Sequence, residues 1–275
     1  MDYVGISFIL RAITSLGSFV GMMLLTHNIV YAFLTMSVTT FAVIFLFDWP
    51  TVKRLTDFKL KADFSASKTL LKEAIPLVLN ASLLTLLTTI PRYFLEYYMG
   101  TELMGIYGSI ATPAVVIQAG CSFIYTPLIN PLTDRFREKN YKGFLSTVGK
   151  AFLFVCAMVA VVIAGAALLG RWGLNLLFGA DILPYAGYLI PVLMTCFCSA
   201  MIYFFEVPLT VIRRLKQMTV IHIIAVAMTT VCSMLLIPRM GIDGMNLAMY
   251  LCAGGDALAM GLFTLMTIKK QAASN

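Results

Sequence analysis

The stretch LVLNASLLTLLTTIPRYFLEYYMG, residues 77–100, decides how the rest of the chain is read. It opens as an uncharged apolar run and closes by placing Arg92 four residues before Glu96. A helix crosses hydrocarbon in about 20 residues, and a charge at its end is tolerated where it meets water or protein. Composition selects lipid as the solvent. Sixty per cent of the 275 residues are apolar, 12% are charged and the mean hydropathy is +0.90. No soluble globule of this size hides that much hydrocarbon from water. The expected fold is therefore an all-α, polytopic membrane helix bundle.

Windows of spanning length give about eight transmembrane helices, near residues 4–25, 29–47, 70–97, 103–132, 146–168, 185–212, 218–237 and 245–268. No cleavable signal peptide is legible, so insertion is expected to be directed by the first span. The net charge of +7 is not a nucleic-acid signature, because the cations sit in short loops between apolar runs. Sixteen of the twenty fall on one side: Lys53, Arg54, Lys59, Lys61, Lys68 and Lys72; Arg135, Arg137, Lys139, Lys142 and Lys150; Arg213, Arg214 and Lys216; Lys269 and Lys270. Arg171 and Arg239 fall on the other. The positive-inside rule makes the first side, and both termini, cytoplasmic. The longest loop, WPTVKRLTDFKLKADFSASK, reads as a basic, partly amphipathic linker suited to an anionic inner leaflet.

Several spans carry prolines: Pro76 and Pro91 in the third, Pro113, Pro127 and Pro131 in the fourth, Pro191 and Pro208 in the sixth. An interior proline removes a backbone hydrogen bond, and lipid offers no replacement. These positions favour a kinked, cavity-lined bundle over a set of plain anchors, although prolines are also commoner in membrane helices generally. The fourth span, about 45 Å long if straight, must bend, tilt or project from a core of about 30 Å.

Ionisable groups inside the hydrocarbon are functional candidates by default. Arg11 lies about two turns from the cytoplasmic end of the first span and either snorkels to the interface or faces a cleft. Arg92 and Glu96 either neutralise each other at i, i+4 or line the outer part of a wet cleft, where the planar guanidinium suits a diphosphate. Asp256 lies midway along the last span beside Gly254 and Gly255, as a packed, hydrogen-bonded carboxylate or as an ion- or proton-coupling site. Glu206 is placed to pair with Arg213 and Arg214 at the inner surface. His222 reads as an interfacial or buried histidine, with a proton relay as the alternative.

The six cysteines sit in or beside apolar runs without C-x-x-C spacing or a nearby histidine, so they read as small packing residues and no metal site is expected. There is no Walker loop, G-x-S-x-G, H-E-x-x-H or paired acidic loop. No catalytic residue, enzymatic activity or cofactor is expected.

Three passages together carry a resemblance. In KEAIPLVLNASLLTLLTTIPRYFLEYYMGTELMGIYGSIATP a proline follows the basic linker, the helix ends in an R-x-x-L-x-x-x-x-G phrase, and the next opens on a phrase like L-G-x-Y. LLGRWGLNLLFGADILPYAGYLIPVL contains an L-L-F-G turn, and IPRMGIDGMNLAMYL a P-x-x-G-I-x-G phrase opening the final helix. In this order they resemble the second lobe of Wzx-type polysaccharide (O-antigen and capsule repeat-unit) flippases of the MOP, or MATE-like, exporter superfamily. The resemblance implies two six-helix lobes facing a cavity. Residues 1–48 would be the last two helices of an incomplete N-terminal lobe, 49–69 a cytoplasmic linker and 70–275 a complete C-terminal lobe. MDYVGISFILRAITSLGSF resembles the family's fifth helix, which implies an N-terminally truncated product, an internal start or a split gene, with a partner polypeptide as one candidate source of the missing helices. The implied function is flipping of undecaprenyl-diphosphate-linked oligosaccharide from the inner to the outer leaflet of the bacterial plasma membrane. Arg92, Arg11 and Glu96 are the candidates for substrate contact and Asp256 for ion coupling. The competing readings are a MATE-type drug or cation antiporter, which would want acidic cavity residues, a polytopic enzyme of the same pathway, and an inactive fragment.

Overall fold

A computed structural model describes residues 2–51 and 64–273 of the chain. The regular structure of the described residues is entirely helical. Most of the expected basic linker, including Lys53, Arg54, Lys59 and Lys61, lies outside the described residues. Two compact units are present, Met1–Ser67 and Lys68–Asn275.

In the first unit, α1 (Asp2–Thr26) and α2 (Ile29–Val43) pack against each other as a hairpin. His27 turns the chain with φ 48°, and the Asn28 side chain caps α2 by accepting from the Val30 amide at 2.9 Å. Phe19 and Phe33 meet edge to face, with ring centroids 5.3 Å apart. After Val43 the backbone widens into one π-helical turn, Ile44–Asp48, before helix resumes to Thr51. The first candidate span has none of its apolar window buried, which suits side chains whose solvent is lipid.

The second unit holds α3 (Phe64–Met99) from Lys68 onward, α4 (Thr101–Ala111), α5 (Ala114–Arg137), α6 (Tyr141–Phe178), a 3-10 segment (Ala180–Tyr188), α7 (Leu189–Val211), α8 (Leu215–Met240) and α9 (Ile242–Ala273). Across the described residues, seven helices are long and apolar enough to span a membrane. The expected fourth span is the eighth. It forms α4 and α5 as separate pieces, because Thr112–Pro113 turns the chain and Pro113 cannot donate to the preceding turn. Pro76 and Pro91 lie inside α3 without ending it. Gly100 ends α3 with φ 88° and Gly179 ends α6 with φ 82°, a backbone region that side chains with a Cβ rarely adopt. These are the glycines of the R-x-x-L-x-x-x-x-G and L-L-F-G phrases, so those phrases mark where α3 and α6 end.

The core forms around α7 and α9, each with half of its apolar window buried. Helix α9 packs along α8 and α7, and α5 packs along α7 and α6. The α8–α9 hairpin closes tightly at Gly244: a Cβ there would lie 2.4 Å from the Leu236 carbonyl oxygen and 3.0 Å from the Ile237 nitrogen. Both obstacles are backbone and cannot rotate away. In lipid, association of such helices depends on close packing of small residues, since no water is expelled. Gly244→Ala is therefore expected to destabilise the bundle by about 1–3 kcal/mol, read as an earlier unfolding transition in detergent, while the equally helical Gly105→Ala, which meets nothing within 4 Å, leaves the transition in place.

Candidate functional site

Arg92 rises from α3 one residue after Pro91 and lines a polar cavity of about 280 Å³. Thr88 from α3, Tyr107 from α4, Gln118 from α5, and Thr195, Ser199 and Tyr203 from α7 supply the other polar groups, with Met245 and Met249 of α9 as an apolar side. Tyr107 is buried, and the Thr195 hydroxyl donates to the Val192 carbonyl at 2.7 Å. Thr195, Ser199 and Tyr203 share one stripe of α7 because they recur every four residues. No carboxylate lines this cavity, and no ion pair to Arg92 occurs among the described residues.

Glu96 does not neutralise Arg92. It lies with Tyr93, Phe94 and Tyr97 on a separate, more open recess at the end of α3, where Phe94 stacks on Tyr98 and Tyr97 meets Tyr98 edge to face. The i, i+4 spacing puts two residues near each other, but each side chain follows its own surroundings: Arg92 the polar crevice, Glu96 the exposed end.

Arg11, in the first unit, has a partner the sequence reading did not assign. Its guanidinium forms an ion pair with Asp48, whose other oxygen accepts from the Ser7 hydroxyl at 2.6 Å. The π-turn presents Asp48 at the end of α2, opposite the second and third turns of α1. Arg11 is thus committed to a carboxylate within its own hairpin.

Asp256 lies in the core of the second unit, its side chain fully buried. Its Oδ2 is 2.8 Å from Nδ1 of His222, itself fully buried on α8, and Nε2 of the same ring is 3.3 Å from Oε1 of Glu206 on α7. Glu206 does not pair with Arg213 or Arg214, as the sequence suggested. Arg213 sits in the α7–α8 turn with φ 56°, and the carboxylate turns inward to the imidazole. The six cysteines are free thiols, and no group of histidine, cysteine and acidic side chains among the described residues is arranged to hold a metal ion.

The Arg11–Asp48 contact is partly exposed, so its value is modest. Arg11→Gln and Asp48→Asn are each expected to lower thermal stability, and the double variant to lose about 1 kcal/mol less than the sum, as measured by a double-mutant cycle in detergent.

No family model and no curated protein matches the sequence. Solved structures do match in fold. An outward-facing multidrug resistance MATE family transporter of the MOP superfamily aligns with 98% of this chain and 63% of its own length, at 14% identity and a TM-score of 0.69. A MATE transporter in the bent conformation aligns with 99% of this chain and 63% of its own, at 16% identity and a TM-score of 0.71. A MATE structure in complex with MaL6 gives 14% identity and a TM-score of 0.69. The chain thus spans a little under two thirds of the length of the structures it matches. It is a multi-pass membrane protein with the fold of the MATE transporters of the MOP superfamily.

Proposed function

We propose that the chain works in a membrane transporter that moves an anionic, lipid-linked substrate across the bilayer, as a flippase for undecaprenyl-diphosphate-linked oligosaccharide. The observation that carries the reading is the Arg92 cavity: a cation at the end of a spanning helix, facing hydroxyl, phenol and amide groups, with no carboxylate among its lining residues. Such a site compensates a diphosphate through bidentate hydrogen bonds, while a polyprenyl tail remains in hydrocarbon. A cavity of about 280 Å³ accommodates a head group rather than a whole repeat unit. In this reading the remaining wall of the transport path comes from further polypeptide, the membrane is the bacterial plasma membrane, the basic loops are cytoplasmic, and Asp256 is where an ion would couple. Arg11 ranks below Arg92 for head-group contact, because Asp48 already occupies it, and Glu96 acts at most as an outer neighbour of the cavity mouth.

The second reading, a drug or cation antiporter, is favoured by the fold shared with a multidrug resistance MATE family transporter. It requires acidic groups facing the ligand. No carboxylate lines the cavity, and Glu206 on α7 and Asp256 on α9 are both engaged by His222.

Arg92→Ala, made in the full-length transport context, is expected to lower surface polysaccharide at equal protein level by about tenfold or more, the equivalent of losing one charge-assisted hydrogen-bond pair. Arg92→Lys should retain part of the output. Unchanged polysaccharide would remove Arg92 from the path, and loss of resistance to cationic drugs with unchanged polysaccharide would favour the antiporter.

A further inference from the structure

We infer that Glu206, His222 and Asp256 form a single proton-binding site, shared by three helices, that exchanges protons with the cavity floor through Glu206.

The argument is a count of hydrogens. Each of the two contacts, 2.8 Å to Asp256 and 3.3 Å to Glu206, joins a ring nitrogen to a carboxyl oxygen. A neutral imidazole carries one N–H, and an ionised carboxylate only accepts. With neutral histidine and two carboxylates, one contact would set lone pair against lone pair inside the bundle. Two hydrogen bonds require two protons in the cluster: both on the ring, or one on the ring and one on a carboxyl. Either arrangement leaves the cluster with one net negative charge. The proton is therefore a component of the site.

Other counter-charges are lacking among the described residues. Neither carboxylate pairs with a lysine or arginine among the described residues, and the three side chains are not arranged to hold a metal ion. The titratable groups facing His222 are Glu206 from α7 and Asp256 from α9. Tyr203, one turn before Glu206, lies close enough for its charge to interact with it. From α3, Asn80 reaches the same helix as His222, but it bonds Thr219 at 3.0 Å and carries no charge. The site can also take a further hydrogen, since Asp256 Oδ1 is buried without a partner.

The route follows from α7. Thr195, Ser199 and Tyr203 line the Arg92 cavity, and Glu206, three residues beyond Tyr203, continues the same helical stripe. Glu206 keeps 21% of its side chain exposed, whereas His222 and Asp256 keep none. A proton taken from water at Glu206 passes along the Oε1–Nε2 contact to the ring, and the ring releases its Nδ1 hydrogen toward Asp256. No other bond is made or broken. Because the three groups sit on α7, α8 and α9, the proton count sets whether these helices are held together or carry unpaired charge against one another.

The inference deepens the transport reading, but its test needs no substrate, so the two fail separately. The sequence has two histidines, and His27, exposed in the α1–α2 turn, is an internal control. In the full chain labelled with ¹⁵N-histidine and reconstituted in lipid, the ring nitrogens of His222 are followed by NMR across about pH 5 to 9, with infrared detection of protonated carboxyl groups. The expected result near neutral pH is a second proton, seen either as two N–H groups on His222 or as a carboxylic-acid band that disappears in Asp256→Asn or Glu206→Gln. A single ring hydrogen with no such band at every pH would overturn the site. After a pH jump, Glu206→Gln is expected to slow re-equilibration of His222 by roughly tenfold or more, and an unchanged rate would overturn Glu206 as the route. Should Asp256→Asn not fold, Glu206→Gln and the wild-type count still decide the matter.

Discussion

Every structural decision in this chain answers to one constraint: in hydrocarbon, a polar group that is not satisfied within the protein is not satisfied at all. The constraint removes strands and loops from the spanning region and leaves helices. It explains why the charges in the spanning helices are grouped. Arg11 meets Asp48, and His222 meets Asp256 and Glu206. Arg92, with no ion-pair partner among the described residues, lines a crevice of hydroxyl and amide groups.

Much of the fold was legible because the bilayer imposes a length. Runs of about 20 apolar residues mark spans whatever their neighbours do, and seven of the eight expected spans correspond to helices of spanning length and hydropathy. Helix ends were less legible. The helix expected near 146–168 runs from Tyr141 to Phe178, because a window of spanning length does not say how far the helix continues on either side. The expected fourth span was known to be too long for one straight helix, but the exact residue of the break, Thr112–Pro113, depends on where α4 and α5 each find a packing surface on α7.

The candidate site divides along the same line. That Arg92 and Asp256 were unusual could be read from one strand of text, since each is a charge in an apolar run. Their partners could not. Glu206, His222 and Asp256 lie 16 and 34 residues apart from histidine to carboxylate, and only the register of α7, α8 and α9 brings them together. Local spacing was misleading where it suggested pairs: Glu96 is one turn from Arg92 and Glu206 close to Arg213, yet neither pair forms. Sequence neighbours in a membrane helix compete with whatever the adjacent helix offers, and a buried imidazole offers more than an arginine at the water interface. The sequence did put a histidine and two carboxylates on three consecutive spans, but not at a common depth.

The widened turn at Ile44–Asp48 has a consequence for how the first hairpin tolerates change. A π-turn holds one residue more than an α-turn in nearly the same axial rise, so everything after it is rotated relative to an unbroken helix. Removing a single residue there would shorten the span hardly at all, yet it would swing the following positions by about 100°. The carboxylate at 48 would then face away from α1, and the guanidinium at 11 would need another anion. An anionic lipid head group would be the nearest available replacement, and a one-residue deletion would exchange an internal tie for a dependence on membrane composition.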